Sequence, residues 1–403
     1  MRVLFFSNVY PNPLYPAKGT FNRSLIRALA EEHTVQVVSP ISWTDAVRAR
    51  LRRRNRTMLS DAHAADAIPA EYPRFYYPPK LLRHQYGRFL WWSVGRELLR
   101  RIVRFRPDVV VSYWAHPDGE VAVRAAHQCG VRAVTMVGGS DVLLLGRHGL
   151  RREAIHNVLS QSDAVIAVSR DIAEHLYADG IPHDKVHVVY RGVDRSLFYP
   201  RDRGESRLRL GIPDKQNVLL AVGRLVPVKG YPVLFDACRH LVERGEKFAC
   251  YVLGDGPLEA ALQRRIDQAG LRGIVRLCGS QRQDELADWY SAANLVVLPS
   301  LSEGVPNVLL EAMSCGRSFV ASDVGGIPEI ADPQFDRLVR PCNPRELANA
   351  ITEQLARPHV SGKRRFEPLS WKDSVDQFVK VLDPKPGPAS SKSEQRQCVS
   401  VDS

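Results

Sequence analysis

The 403-residue chain has no apolar run as long as the roughly 20 residues that a membrane-spanning helix needs. A helical membrane-spanning protein is therefore not expected. A leader is not expected either, because strand-like Arg2-Val-Leu-Phe-Phe-Ser7 follows the first methionine directly. The seven cysteines form no Cys-x-x-Cys pair and no histidine-spaced zinc pattern. Reduced, mostly buried thiols fit that usage. No Asp-x-Asp pair occurs, which argues against a divalent ion bridging a diphosphate. No segment repeats at a fixed period. These absences lead to the expectation of a cytoplasmic globular protein with no metal and no resident cofactor.

What is present points to an α/β protein. Apolar residues make up 44% of the chain and charged residues 25%, the balance of an ordinary soluble fold. The length exceeds one compact core and suits two domains. Apolar β-like runs alternate with amphipathic helical ones, as in parallel sheets. Strands are expected at 2–8, 34–39, 108–113, 131–136, 163–168 and 186–190, and again at 217–223, 248–253, 274–278, 294–298, 318–321 and 336–339. The turn-rich segment 194–204 has neither period and reads as a linker. The domains expected are 1–195 and 196–369, followed by a helix within 370–383. The polar, proline-rich tail 384–403 cannot bury enough apolar surface to fold and is expected to be disordered.

The most informative segment is Ser300-Leu-Ser-Glu-Gly-Val-Pro-Asn-Val-Leu-Leu-Glu311, which follows an apolar strand and opens a helix at Pro306. Free N–H groups at such a helix start attract an anion. Gly304, Pro306 and Asn307 form that turn. Glu303 and Glu311 flank it and can accept hydrogen bonds from sugar hydroxyls. Upstream, Leu219-Leu-Ala-Val-Gly223-Arg224 reads as a buried strand whose loop carries Lys229. Arg224 and Lys229 would stand at a carboxyl strand end, where open sheets bind ligands, and two cations there can clamp a diphosphate. They can equally be solvated loop cations. Gly254-Asp-Gly256-Pro257 begins like a dinucleotide fingerprint, but Pro257 and Glu259 break it.

Three places in the first half can carry chemistry. The loop 10–21 ends at Gly19-Thr20 as a helix begins, so it either approaches donor phosphates or is a helix-entry turn. His116 lies just past the strand Val109-Val-Val-Ser-Tyr113 and reads as either functional or structural. Asp141, in Val137-Gly-Gly-Ser-Asp141, either orients or deprotonates a substrate hydroxyl or caps the next helix.

The combination Gly223-Arg224…Lys229-Gly230, Gly254-Asp-Gly-Pro257, Glu303…Glu311 and Gly325-Gly326…Glu329 resembles the retaining GT-B glycosyltransferases of family 4. The matching motifs span nearly all of 217–330. The resemblance implies two facing Rossmann-like domains with parallel sheets and an interdomain cleft. It places a nucleoside-diphosphate sugar mostly on the C-terminal domain and the acceptor on the N-terminal one. It also implies that His116, in its strand-then-His-Pro context, contacts the transferred sugar. Where the family usually has asparagine before Gly-Val-Asp, this chain has Arg191, a cation that either meets an anionic acceptor or sugar or is a solvated loop residue. The expected catalytic set is His116, Arg224, Lys229 and Glu303. The donor set is Gly19, Thr20, Gly223, Gly254, Gly256, Gly304, Pro306, Asn307 and Glu311, and Asp141 and Arg191 stand on the acceptor side. The Ser112-to-Gly119 segment is similar to members that build exopolysaccharide or teichuronic-type chains, so a lipid-linked or polysaccharide acceptor is expected. Rival readings are a sugar-nucleotide epimerase on the same fold and a noncatalytic nucleotide-sugar binder.

The net charge of +12 is unevenly spread. Residues 46–107 hold fifteen Arg or Lys and four acids, densest at Arg50-Leu-Arg-Arg-Arg54. Farther along, arginines interleave with Leu81, Leu82, Phe89, Trp91 and Trp92. That mixture suits either an anionic membrane surface or a solvated helix face. Nucleic acid is not expected, since no nucleic-acid motif accompanies the charge.

Overall fold

In this computed structural model, residues 1–16, 18–52, 68–144, 149–357 and 362–383 are described. They form two compact units: Met1–Tyr190 together with the chain from Trp371 onward, and Arg191–Ser370.

In the first unit the alternation of side chains along each strand feeds two apolar layers, one on each face of a sheet. Its strands run, in spatial order, Ala70–Glu71, Thr34–Val38, Arg2–Phe6, Val109–Tyr113, Arg132–Val137, Ala164–Ala167 and Val186–Val188, all parallel. Leu4 and Phe6 face one layer with Leu90, Val94, Leu98 and Ile102 of the helix Tyr86–Phe105. Val3 and Phe5 face the other, with Leu25, Ile26 and Leu29 of the helix Thr20–Ala30. Because both faces are covered, Val109–Tyr113 is buried at every position and is apolar but for Ser112.

The helix Trp371–Leu382 completes the second layer. Val375, Phe378, Val381 and Leu382 recur at three- and four-residue spacing, and all are buried there. The helix thus belongs to the first unit although it ends the described chain.

The second unit repeats the plan with strands in the order Val275–Leu277, Ala249–Leu253, Val218–Val222, Leu295–Leu298, Phe319–Ser322 and Arg337–Val339, again parallel. Chain order reverses at Val218–Val222, which leaves a crevice beyond the carboxyl ends of Val218–Val222 and Leu295–Leu298. Both sheets are thus doubly wound, as Rossmann-like domains are.

Two boundaries differ from the sequence expectation. The units divide after Tyr190 rather than near 195, because Gly192–Val193 pairs in parallel with Leu369–Ser370 and draws that segment into the second unit. The expected linker 194–204 therefore lies inside that unit and leads into the helix Arg203–Leu210. Of the described cysteines, Cys238, Cys250 and Cys315 are buried, Cys129 and Cys278 half-buried, and Cys342 exposed. Arg53, Arg54 and Arg56 of the basic run and the tail 384–403 lie outside the described residues. Among those described, no helix is long and apolar enough to cross a membrane.

Phe378 has almost no exposed surface. Phe378→Ala should therefore destabilise the first unit by about 3–5 kcal/mol, read as a lower midpoint in denaturant unfolding. A loss below about 1 kcal/mol would show that the helix only rests on the unit.

Candidate functional site

Four strand-to-helix loops of the second unit converge beyond its sheet. The first, after Val218–Val222, carries Gly223, Arg224 and Lys229. The second, after Ala249–Leu253, carries Gly254 and Gly256. The third, after Leu295–Leu298, carries Ser300, Glu303, Gly304 and Pro306, and the fourth carries Gly325 and Gly326. Backbone bonds stitch them together. Leu225 N–H donates to the Asp255 carbonyl at 2.7 Å, Leu301 N–H to Val228 at 2.7 Å, and Gly326 N–H to Gly304 at 3.0 Å. Glycine is required where they touch. A Cβ on Gly254 would overlap the Gly223 carbonyl, one on Gly256 the Leu225 carbonyl, and one on Gly325 the Glu303 carbonyl.

The charged centre is an ion pair. Lys229 Nζ donates to Glu303 Oε1 at 2.5 Å, and Ser300 Oγ donates to the same oxygen at 2.6 Å. Both charged side chains are half-buried. These bonds all fall on Oε1, and Glu303 Oε2 makes none with the described residues. Lys229 Nζ keeps two further N–H donors. Arg224 stands in the same loop with its side chain exposed, and it has no ion-pair partner among the described residues. Beneath them, the Tyr231 hydroxyl donates to the Gly223 carbonyl at 2.8 Å and fixes that turn. Burial, and then the charge of Glu303, raise the phenol pKa of Tyr231.

The helix Asn307–Ser314 begins beside this pair. Pro306 is its N-cap in extended backbone (ψ 121°), one residue ahead of the expected first turn. The leading N–H groups of any helix have no intrahelical partner, so this end offers donors and a positive dipole. Glu311, one turn on, accepts from the Tyr290 hydroxyl at 2.8 Å. Burial pushes its pKa up to about 7, against the pull of that hydrogen bond. Arg191 was grouped with the acceptor side on sequence, but it lies in the second unit and donates to Asn307 Oδ1 at 3.4 Å, at the same helix start.

The first-unit candidates form a separate set. Gly19 has φ +68°, and a Cβ there would overlap the Val9 carbonyl; it precedes the helix that begins at Thr20. His116 is buried. Its Nε2 lies 3.4 Å from Gly87 N, whose N–H points to it, and 3.5 Å from Glu120 Oε2. Nδ1 has no partner among the described residues. Burial, and then the nearby Arg151 charge, lower the imidazole pKa to about 4, so the ring is neutral at pH 7. Asp141 is fully buried and accepts from the N–H groups of Gly138 and Gly139 at 3.1 and 3.0 Å, which closes its own turn; Oδ2 has no partner among the described residues. Asp118, which the sequence did not single out, anchors the first loop. Its Oδ2 accepts from Ser7 Oγ at 3.0 Å and Asn8 N–H at 2.8 Å, and burial raises its pKa to about 7. Ser300, Tyr231 and Tyr290 also escaped the sequence reading, because a serine or a buried tyrosine in an α/β chain has no motif of its own.

Two doubly wound parallel sheets, one bearing a cationic, glycine-lined loop cluster at a helix start, define a Rossmann-like protein. A family model described as glycosyl transferases group 1 matches residues 202–366, and one described as glycosyltransferase family 4 matches residues 19–197. A D-inositol 3-phosphate glycosyltransferase of Nocardiopsis dassonvillei is 30% identical over 313 residues, covering 70% of this chain and 72% of that protein. The Bacillus subtilis protein TuaC, a candidate teichuronic acid biosynthesis glycosyltransferase, is 26% identical over 90% of this chain and 92% of its own. Among solved structures, HepE of Anabaena in complex with UDP and glucose superposes with TM-score 0.68 at 19% identity, over 95% of this chain and 99% of that one. A sucrose-phosphate synthase from Thermosynechococcus elongatus gives TM-score 0.71 at 20% identity, over 95% and 94%. The chain belongs to the group 1 glycosyltransferases and has their GT-B type of fold.

The raised Glu311 pKa has a testable consequence. Its folded-state value lies above the ordinary 4.5, so the stability tied to its proton is complete below about pH 4.5 and is lost as pH rises to about 7. Glu311→Gln should match the parent near pH 4.5 and gain on it by about 1 kcal/mol per pH unit up to 7, in urea unfolding at several pH values. A pH-independent difference would contradict the burial assigned to this carboxyl.

Proposed function

We propose that the protein is a retaining, metal-independent hexosyltransferase. It moves a sugar from a nucleoside-diphosphate sugar to a lipid-linked or polysaccharide acceptor in cell-surface glycan synthesis, at the cytoplasmic face of the membrane. The observation that carries this reading is the Lys229–Glu303 pair at the mouth of the helix Asn307–Ser314, in a chain of this family. UDP-glucose is the ligand named for one HepE structure of the same fold, and teichuronic acid is the product named for TuaC; both support the choice of donor and acceptor class.

In this reading the diphosphate lies against the helix start, with Lys229 and the exposed Arg224 on its oxygens. As the bond from the sugar's anomeric carbon to phosphate oxygen breaks, the acceptor oxygen bonds to that carbon on the same face. The acceptor's proton passes to the departing phosphate oxygen. The chain then need supply no strong base, only stabilisation of the leaving charge, commonly the largest catalytic term. Two cations and a helix dipole supply it where other enzymes use a metal. Glu303 Oε2 accepts a hydroxyl of the transferred sugar. Glu311, ionised above about pH 7, accepts the ribose hydroxyls. His116, neutral at pH 7, turns its unpartnered Nδ1, and not a charge, to the transferred sugar. Asp141 orients the acceptor.

Incubation of the purified protein with UDP-sugars and a glycan acceptor tests the proposal. The product should keep the donor's anomeric configuration by proton NMR, and EDTA should leave the rate unchanged. Glu303→Ala should lower kcat by about 10²–10³ while UDP affinity stays within threefold. An inverted anomer or an EDTA-sensitive rate would each remove the corresponding clause. Nucleotide-sugar binding with no transfer to any acceptor would favour a sensor.

A further inference from the structure

The outward face of the helix Tyr86–Phe105 takes no part in the site described above. Inward, Leu90, Val94, Leu98 and Ile102 fill the core. Outward, Arg88, Trp92, Arg96, Arg100 and Arg104 recur at every fourth residue, and side chains at that spacing share one side of a helix. Trp92 is 74% exposed, and Leu81 and Leu82, in the turn that leads into the helix, are 66% and 50% exposed. The Phe89 ring braces the indole edge-on at 5.6 Å.

Single exposed apolar residues are ordinary. Here, though, Trp92 shares its helix with three exposed arginines that form no ion pair, while Arg101 turns to Glu71. Among the described residues Arg96, Arg100 and Arg104 form no ion pair, and Glu97 is the one acid in the helix. Several arginines elsewhere on the surface are matched: Arg265 with Asp236 at 2.7 Å, Arg272 with Asp267 at 2.9 Å, Arg340 with Glu346 at 2.7 Å. The start of the helix is also locked to the interior. Gly87 N–H holds His116 Nε2, and a Cβ on Gly87 would overlap the Glu120 carboxylate.

We propose that this face docks on the surface of an anionic lipid bilayer. Arginine forks would meet lipid phosphates, and Trp92, Leu81 and Leu82 would enter the boundary between headgroups and acyl chains. Nucleic acid offers the phosphates but no apolar layer for those three side chains. A second copy would set like charges against each other. Docking would hold the His116 loop, through Gly87, beside the membrane that carries a lipid-linked acceptor. That last step rests on the proposed function; the docking does not.

The experiment is co-sedimentation of the full chain with phosphatidylcholine vesicles, with and without about 30% phosphatidylglycerol, at low and high salt. Binding should require the anionic lipid and fade as salt rises. Arg96→Gln/Arg100→Gln should weaken it about twentyfold, since each arginine contributes about fivefold near such a surface. Trp92→Ala/Leu82→Ala should weaken binding without changing its salt dependence. Neither variant should alter donor hydrolysis in lipid-free buffer or the melting temperature, which shows that the fold is intact. Equal binding to neutral vesicles, or none to either, would overturn the proposal. So would a dimer of the parent that the arginine variant dissociates, or tighter binding of a short DNA duplex than of vesicles. Vesicle binding needs no turnover, so docking by an inactive protein would fault the transfer reading and leave this one standing.

Discussion

The Lys229–Glu303 pair is the constraint on which the second unit's site depends. A half-buried ammonium and a half-buried carboxylate each need a partner once water is thinned around them, and here each serves the other. Because Lys229 hangs from the loop after Val218–Val222 and Glu303 from the loop after Leu295–Leu298, their contact joins two strand ends across the sheet's reversal point. Gly325 admits a third loop against the Glu303 backbone, and Ser300 holds the carboxylate from its own side. An arriving diphosphate would find Lys229 already placed, with two donors to spare. Glu303 Oε2 makes no hydrogen bond among the described residues, which leaves it free for the sugar in the proposed reaction.

The first unit solves a different problem, that of keeping polar groups under cover. His116, Asp118 and Asp141 are all buried, and burial moves each toward its neutral form. Asp118 and Asp141 spend their acceptors on nearby backbone N–H groups and so shape the loops that follow the strands Arg2–Phe6 and Arg132–Val137. His116 takes the N–H of Gly87 and thereby ties its loop to the long basic helix. These groups act first as struts. Each keeps one buried atom without a partner among the described residues: His116 Nδ1, Asp118 Oδ1 and Asp141 Oδ2.

The sequence disclosed what the physics of parallel sheets repeats. Strands covered on both faces are almost wholly apolar, so Val109–Tyr113 and Val218–Val222 stand out at once, and the helix Trp371–Leu382 shows its stripe. The strands at Ile41–Ser42, Ala70–Glu71, Arg74–Phe75, Gly192–Val193 and Leu369–Ser370 did not, since two residues carry no period. The division between units was misplaced for the same reason: Gly192–Val193 finds its partner far along the chain. Glu303 and Lys229 were legible as loop residues at strand ends. Their bond to each other was not, because 74 residues separate them and only strand order brings them together. The side on which Arg191 stands was likewise decided by a distant pairing. The burial of His116 was hidden because packing, not spacing, determines it.

The central claim is that Lys229 meets a pyrophosphate at the mouth of the helix Asn307–Ser314. Titration calorimetry of UDP against the parent and Lys229→Met tests it most directly, since methionine keeps the side chain's length and removes its charge. The account predicts a loss of affinity of tenfold or more, as a charge-assisted hydrogen bond of about 1.5–3 kcal/mol implies. Equal affinity in the two proteins would place the diphosphate elsewhere and contradict the account.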